Sequence, residues 1–258
     1  MVGAGNMGGA MLARWLASGV AAERVTVVSP SRRTQPIGVR VVEVIPAEPF
    51  DTVVLACKPQ QLATVAPTLH GHAPRVLLSI LAGVEVATLT ALTRAPVVRA
   101  MPNLPVAIGK GVVALHGGRG TEPGERAAAL MTPLGLVEWI GDERLFDLVT
   151  ALAGSGPAFL YRFVDAMARA GEALGLPFDQ AARLALATTA GAAALAAGSD
   201  VRPGVLADRV ASPGGSTREG LNVLDDDDAL MRLLTGTLAA AARRNGEMAA
   251  AARKAGSG

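Results

Sequence analysis

A short glycine-containing segment near the end of the chain has the residue types needed to hold a small carboxylate. It runs Ser212-Pro213-Gly214-Gly215-Ser216-Thr217-Arg218-Glu219-Gly220. Ser216 and Glu219 have the spacing of a capping box, which predicts a turn that leads directly into a helix. Backbone N–H groups would converge there at the positive end of the helix dipole, so a carboxylate could bind without lysine or arginine. A capped helix after a tight turn is the purely structural alternative.

A second glycine pattern lies at the N-terminus, where Gly3, Gly5 and Gly8 match the G-x-G-x-x-G fingerprint of dinucleotide-binding sites. In that fingerprint the first glycine makes a tight turn, the second lets the backbone approach a pyrophosphate, and the third lets a helix pack closely on a strand. An amphipathic segment and the apolar run 25–28 follow, as a Rossmann unit requires. Only Met1 and Val2 precede Gly3, so we expect the chain to be clipped by a few residues at its start.

The composition argues against several classes of protein. The 258 residues suffice for two domains, and the formal net charge of +2 is too small to indicate binding to nucleic acid or to an anionic membrane. Cys57 is the only cysteine, and His70, His72 and His116 lack the spacing of zinc ligands. No signal-peptide pattern opens the chain, and the apolar stretch 184–197 is too short to span a bilayer. We therefore expect a soluble, cytoplasmic protein with no metal site.

The two halves of the chain follow different patterns. Residues 1–141 alternate short β-branched runs with helical or loop segments, which predicts a parallel α/β sheet. The predicted strands cover residues 25–28, 39–44, 52–56, 76–80, 97–99 and 112–115. Residues 31–38 are too few, and too rich in proline and glycine, for the usual crossover helix, so we expect a loop there. The predicted fold is α/β plus all-α: an N-terminal Rossmann-like domain at 1–141 and a C-terminal helical domain at 142–258.

The helical half carries its own start signals and many small residues. Pro157 suits the first turn of one helix, Asp179 suits the N-cap of the next, and the acids at 225–228 suit the start of the last. Small residues around Gly171 and along 185–197 would let helices approach each other closely. Such surfaces serve packing between subunits or packing within one chain, and the sequence leaves both open.

Six motifs, in the same order, resemble those of the pyrroline-5-carboxylate reductase family, the last enzyme of proline biosynthesis. They cover residues 3–8 (GAGNMG), 54–60 (VLACKPQ), 79–84 (SILAGV), 99–105 (RAMPNLP), 154–158 (GSGPA) and 212–217 (SPGGST). The last is the family's most specific signature, and the resemblance covers nearly the whole chain. It implies an oxidoreductase that reduces the C=N bond of 1-pyrroline-5-carboxylate to L-proline with NAD(P)H, and that works as a homo-oligomer joined through its helical domain.

The resemblance also implies roles for particular residues. The cofactor would contact Gly3, Ala4, Gly5, Asn6, Met7, Gly8, Ala56, Cys57, Lys58, Pro59, Ile80, Leu81, Ala82 and Asn103. The substrate would contact Ser212, Gly214, Gly215, Ser216, Thr217 and Glu143. Thr217 would be the catalytic residue, because its hydroxyl could hydrogen-bond the ring nitrogen and relay a proton from water. Arg209 departs from the amide that is common in the family at that position.

The segment after the second strand indicates which dinucleotide is preferred. A site that prefers NAD places an acidic residue there, on the ribose hydroxyls. This chain has Ser29, Ser31 and Arg32 instead, followed by Arg33. Hydroxyl and guanidinium groups suit a 2′-phosphate, so we expect NADPH to be preferred and NADH to be possible. A solvated loop is the structural alternative for the arginines.

Other functions account for fewer of these features. A β-hydroxyacid dehydrogenase would use a lysine on its helical domain, and no lysine occurs between Lys110 and Lys254. A reductase resembling prephenate dehydrogenase would need a histidine in the second half, and none follows His116. A non-catalytic dinucleotide sensor would keep the glycine fingerprint but would have no need of the 212–217 turn.

Overall fold

The computed structural model describes residues 1–30 and 35–255, with side chains described up to residue 250. The chain divides into two compact units, one of residues Met1–Ser155 joined by the segment from Ala240 onward, and one of Gly156–Ala239. Residues 142–155, which sequence patterns group with the helical half, therefore pack with the sheet. The expected functional boundary near residue 141 stays a prediction.

The strands of the first unit confirm the predicted sheet and add one strand to it. They are β1 Thr26–Val28, β2 Arg40–Val42, β3 Thr52–Leu55, β4 Val76–Ser79, β5 Val97–Pro102, β6 Gly111–His116 and β7 Gly135–Trp139. Its helices are α1 Asn6–Ala17, α2 Leu62–Leu69, α3 Val86–Thr90, α4 Glu122–Met131 and α5 Phe146–Val149. Strand β7 had no counterpart among the predicted strands.

Val2 occupies the centre of the sheet. It forms parallel bridges to Val28 of β1 and to Leu55 of β3, and so joins the pair β2-β1 to the five strands β3-β4-β5-β6-β7. Its N–H donates to the carbonyl of Val54 at 2.8 Å, and the N–H of Ala56 donates back to Val2 at 2.8 Å. Val2 thus lies at the position of the first Rossmann strand, directly before Gly3.

One strand pair departs from the parallel pattern. β5 and β6 pair antiparallel, which sets Arg99 opposite His116. The chain between Pro102 and Gly111 forms only a short 3₁₀ turn, whereas a parallel crossover needs about a dozen residues or more. All other pairs are parallel, so the carboxyl ends of β3 and β4 meet at one edge of the sheet.

Apolar clusters cover both faces of this sheet. Met11 and Trp15 of α1 pack with Leu78 and Leu115 in one cluster, and Leu77 packs with other side chains in a second cluster. Every residue of β4 is buried, as expected for a strand covered on both faces. The sheet is therefore a rigid support for the loops at its carboxyl edge.

The second unit is helical. Its helices are α6 Gly156–Ala173, α7 Phe178–Ala197, α8 Pro203–Val210, α9 Ser216–Asp225 and the first part of α10 Ala229–Ala255. Pro157 lies in the first turn of α6, as predicted. Ala168 of α6 packs on Ala181 and Ala185 of α7, and a Cβ atom on Gly171 would lie 3.2 Å from the Cβ of Ala181. Part of the small-residue surface therefore serves packing within the chain.

Two of the predicted helix starts were wrong in detail. Asp179 does not cap α7, because the helix already begins at Phe178 and its N-cap is Pro177. The acids at 226–228 form a 3₁₀ turn before α10, and Asp227 and Asp228 have positive φ angles of 47° and 53°. None of the helices described here is both long and apolar enough to cross a membrane.

Candidate active site

The three fingerprint glycines have different surroundings, which match the three expected roles. Gly3 has φ +87°, and a Cβ atom there would lie 2.7 Å from the carbonyl oxygen of Ala56. A Cβ atom on Gly8 would lie 3.1 Å from the Cβ of Ala56, so this glycine lets α1 pack closely on the sheet. A Cβ atom on Gly5 would meet nothing within 4 Å. Gly5 therefore borders open space, where a ligand could approach the backbone.

That space belongs to a cleft of about 550 Å³ at the carboxyl edge of the sheet. Seven of the predicted cofactor residues line it, namely Gly3, Ala4, Gly5, Ser29, Ala56, Cys57 and Lys58. Further residues that were not predicted also line it, namely Val2, Val28, Pro30, Glu43, Val44, Ile45, Gln61, Thr64, Val65 and Thr68. The lining residues that follow β2 or lie on α2 belong to no recognisable motif. They lie near the glycine fingerprint only because of the order of the strands in the sheet.

The N-terminus of α1 faces this region without a side-chain cap. Its N-cap is Gly5, no side chain accepts a hydrogen bond from its first turn, and the turn has no acidic residue. Asn6, Met7 and Gly8 are its first three residues. An uncapped helix start whose first turn contains no acidic residue suits a negatively charged pyrophosphate.

The segment after β3 forms one wall of the cleft. The N–H of Lys58 donates to Oε1 of Gln61 at 3.0 Å, which fixes a 3₁₀ turn that begins at Pro59. Cys57 is half-buried, and burial raises the pKa of its thiol. The thiol therefore stays protonated near neutral pH and contributes shape more than charge.

The predicted residues after β4 form a loop with one exposed position. Ile80 donates its N–H to the carbonyl of Leu55 at 3.0 Å, and the side chain of Leu81 lies in the apolar core. Ala82 is exposed. None of the three lines the 550 Å³ cleft itself, so their contact with a cofactor stays a prediction.

Asn103 is occupied within the fold. Its Nδ2 donates to the carbonyl of Ala153 at 3.0 Å, and its Oδ1 accepts the N–H of Val112 at 2.8 Å. Ala153 belongs to a single π-helical turn, Thr150–Gly154, which directly precedes α6. The side chain thus holds that turn to the end of β5, and its role toward a cofactor stays a prediction.

Of Ser29, Ser31 and Arg32, which are expected to select the dinucleotide, the structure describes only Ser29. Ser29 is buried and lines the cleft. Ser31 and Arg32 lie outside the described residues, as does Arg33. Residues 37–38 form a turn before β2.

Glu143 lies in the first unit, in a turn just after β7. Its Oε1 accepts hydrogen bonds from Nη1 of Arg99 and from the N–H of Val86, both at 2.9 Å. Its Oε2 lies 3.9 Å from Nε2 of His116. The sequence placed Glu143 near the substrate, and that role stays a prediction. The structure adds a partly buried ion pair with Arg99, which no local pattern indicates.

The 212–217 turn has the shape that its glycines require. The carbonyl of Ser212 accepts the N–H of Gly215 at 3.0 Å, and Gly214 has φ +69°. A Cβ atom on Gly215 would lie 2.5 Å from Oγ of Ser212. Glycine is therefore favoured at both positions, at 214 for its φ angle and at 215 because a side chain would crowd Ser212.

The predicted capping box at this turn is absent. Helix α9 begins at Ser216 itself, its N-cap is Gly215, and no side chain caps it. The Ser216 side chain is thus one residue too far along to reach the amides that an N-cap side chain satisfies. Thr217, the second helical residue, is exposed. The open N-terminus of α9 therefore offers its first N–H groups and the Thr217 hydroxyl to an external anion.

Comparisons with known proteins agree with these observations. The family model described as pyrroline-5-carboxylate reductase dimerisation matches residues 143–248, and the one described as NADP oxidoreductase, coenzyme F420-dependent, matches residues 1–83. A pyrroline-5-carboxylate reductase of Pseudomonas aeruginosa is 35% identical over an alignment 263 positions long, which covers 96% of this chain and 95% of that protein.

Solved structures show the same architecture. A pyrroline-5-carboxylate reductase from Coxiella burnetii superposes with a TM-score of 0.85 and 29% identity, covering 95% of this chain and 96% of that one. The Plasmodium falciparum pyrroline carboxylate reductase with NADP bound gives a TM-score of 0.79 at 24% identity, covering 96% of each chain, and supports the fold alone. Because a 35% identical relative is matched along almost its whole length, the chain belongs to the pyrroline-5-carboxylate reductase family.

Proposed function

We propose that the chain reduces 1-pyrroline-5-carboxylate to L-proline with the substrate carboxylate on the 212–217 turn. The reaction is that of an NAD(P)H-dependent oxidoreductase acting on a C=N bond, the final step of proline biosynthesis. The observation that carries the site assignment is the open N-terminus of α9, which follows two adjacent glycines and has no side-chain cap. A carboxylate there would satisfy backbone N–H groups that the protein leaves without a side-chain acceptor.

The chemistry at this site demands orientation more than a strong acid or base. When bound, the reduced dinucleotide supplies a hydride to the C=N carbon. The turn's N–H groups fix the carboxylate, and with it the ring, relative to Thr217. The Thr217 hydroxyl can hydrogen-bond the ring nitrogen and pass it a proton from water, which makes the adjacent carbon a better hydride acceptor. A threonine hydroxyl is too weak an acid to give up its own proton without replacement, so it acts as a relay.

The direct test follows the absorbance of the reduced nicotinamide. Purified protein mixed with NADPH should oxidise it only when pyrroline carboxylate is added, and proline should accumulate in equal amount. A β-hydroxyacid with oxidised dinucleotide provides the control for the alternative enzyme. Turnover of the hydroxyacid without turnover of the imine would refute the proposal, and binding of dinucleotide without either reaction would favour a sensor.

NADPH as the preferred cofactor is the finer part of the proposal. Ser29 lies in the cleft beside Gly3 and Gly5, at the end of β1, and no acidic residue occupies the positions from 29 to 34. Ser31 and Arg32 follow closely enough in sequence to reach a 2′-phosphate that is bound at the end of β1.

Ser31→Asp tests that preference. A carboxylate beside the 2′-phosphate adds like-charge repulsion, so the KM for NADPH should rise about tenfold or more while the KM for NADH stays within about twofold. Ser31→Ala is the matched control, because it removes the hydroxyl without adding charge. Steady-state kinetics with each cofactor measure the difference, and equal effects of Ser31→Asp on both cofactors would contradict the assignment.

Self-association through the helical part follows from the dimerisation model. Large apolar side chains of the second unit are exposed in the single chain, namely Leu160, Phe163, Met167, Leu184, Leu186 and Leu195. We propose the finer arrangement that two chains together complete one active site. Light scattering at assay concentration should then show at least a dimer, and a fully active monomer would rule the arrangement out. The absence of a nucleic-acid partner and a cytoplasmic location stay predictions.

A further inference from the structure

A loop between β4 and α3, residues 80–85, is anchored to the rest of the first unit at several points. We call it the crevice loop. Its first residue, Ile80, donates its N–H to the carbonyl of Leu55, and Leu81 is 1% exposed. Gly83 has φ +72°, and a Cβ atom there would lie 2.9 Å from Cα of Ala249 in α10. Within the loop only Ala82 and Glu85 are exposed, so the loop has a small solvent-accessible surface and its other residues are packed against the protein.

The far end of the crevice loop is held by Glu143. Helix α3 begins at Val86, and the N–H of Val86 donates to Oε1 of Glu143 at 2.9 Å. Glu85 is the N-cap of α3, and its side chain makes no cap hydrogen bond. The Glu143 carboxylate therefore accepts a hydrogen bond at the start of α3, as the side chain of a local N-cap residue usually does. Glu143 lies 57 residues away from Val86 in the sequence.

Arg99 holds the Glu143 carboxylate in the position from which it accepts the Val86 N–H. Its side chain is 4% exposed, its Nη1 lies 2.9 Å from the same Oε1, and its guanidinium lies 4.4 Å from the centre of the Phe146 ring. A buried guanidinium needs a carboxylate partner, since an unpaired charge in the interior costs several kcal/mol. If Glu143 moved away to bind substrate, Arg99 would lose its counter-ion. The ion pair thus favours a fixed Glu143.

His116 completes the surroundings of Glu143. The antiparallel register of β5 and β6 places His116 opposite Arg99. Its Nδ1 lies 2.7 Å from the carbonyl of Ile140, and its Nε2 lies 3.9 Å from Oε2 of Glu143. The guanidinium, the imidazole and a backbone N–H of the sheet unit thus lie around the carboxylate, which also borders a cavity of about 350 Å³.

We propose that Glu143 is a positioning residue of the cofactor site, which acts through Val86 to hold the crevice loop in place. The inference rests on the proposed function in one respect: that residues 80–82 contact the bound dinucleotide. Glu143 would then govern cofactor affinity through the loop, and it would have no direct contact with the substrate.

The test compares Glu143→Ala and Glu143→Gln with Asp142→Asn. Asp142 lies on the same turn, but its carboxylate bonds to Arg144 and not to the crevice loop, so Asp142→Asn is a matched loss of charge. Thermal unfolding is recorded for each variant, and three further quantities are measured: hydrogen exchange of residues 80–86 in the ligand-free protein, the Kd of NADPH by fluorescence titration, and the KM of pyrroline carboxylate at saturating NADPH.

Glu143→Ala should accelerate exchange across residues 80–86 and raise the Kd of NADPH by about tenfold, as expected for one lost hydrogen bond to a charged group. The KM of pyrroline carboxylate should stay within about twofold. Glu143→Gln should give a smaller effect, because its amide oxygen can still accept the Val86 N–H. Asp142→Asn should match the wild type in all three quantities.

Two results would overturn the proposal. A raised KM for pyrroline carboxylate with an unchanged Kd for NADPH would mean that Glu143 binds substrate. A lowered melting temperature with unchanged exchange at residues 80–86 would mean that it only stabilises the fold. If Glu143→Ala does not fold, Glu143→Gln carries the test with the smaller expected change, and a raised KM for pyrroline carboxylate with unchanged exchange at residues 80–86 would contradict the proposal. A wild type that binds NADPH but reduces no imine would contradict the proposed function, while the exchange and Kd results would still decide the role of Glu143.

Discussion

Gly5→Val is expected to leave the fold intact and to abolish tight binding of the dinucleotide. The backbone at Gly5 has φ −72° and ψ −160°, which any L-residue adopts, and a Cβ atom there would meet no protein atom within 4 Å. The added side chain would instead enter the cleft, where a pyrophosphate must approach the start of α1. A hydrogen bond to a charged group contributes about 1.5–3 kcal/mol, so displacing the pyrophosphate should raise the Kd of NADPH about 100-fold.

Two neighbouring glycines provide the contrast for this variant. Gly3→Ala should destabilise the protein itself, because its Cβ would lie 2.7 Å from the Ala56 carbonyl oxygen at φ +87°. Gly9→Ala should weaken neither property, since its Cβ would come no closer than 3.7 Å to the backbone oxygen of Ala4 and alanine suits a helix better than glycine. Fluorescence titration and thermal unfolding on all three variants separate binding from stability. Wild-type affinity in Gly5→Val would place the dinucleotide elsewhere.

Local patterns predicted the features whose cause is local. The glycine fingerprint, the apolar strands and the helix start at Pro157 each depend on a few adjacent residues, and each is found where it was predicted. The capping box failed because Ser216 and Glu219 have the right spacing but stand one position too far into α9. The prediction that Asp179 caps a helix was wrong for a similar reason, because residue types and spacing alone do not determine which residue is the first of the helix.

Features that depend on distant parts of the chain could not be predicted in this way. Arg99 and Glu143 are 44 residues apart, and they meet only because β5 and β6 pair antiparallel and β7 ends beside β6. Asn103 was assigned to the cofactor from the family resemblance, and no local pattern indicated that both ends of its amide hold backbone groups, one in β6 and one in the π-helical turn. Such pairings follow from strand order, which a single sequence does not encode in any short motif.

Variants of the substrate turn should separate binding from catalysis. Gly215→Val would place a Cβ atom 2.5 Å from Oγ of Ser212 and 3.1 Å from its carbonyl oxygen, which accepts the hydrogen bond that closes the turn. The turn must then change shape, so the KM of pyrroline carboxylate should rise strongly. The Kd of NADPH should stay nearly unchanged, because the fingerprint and its cleft belong to the sheet unit.

Thr217→Ala should lower kcat by about 10- to 10³-fold, the range expected for a group that orients or protonates the reacting atom. Thr217 lies inside α9 and caps nothing, and alanine has the higher helix propensity, so the melting temperature should not fall. Thr217→Ser keeps the hydroxyl and should retain most of kcat, while Ser216→Ala controls for the neighbouring hydroxyl. Normal kcat and KM in Thr217→Ala, whatever its melting temperature, would remove Thr217 from the catalytic step and leave only the backbone N–H groups of the turn to act on the substrate.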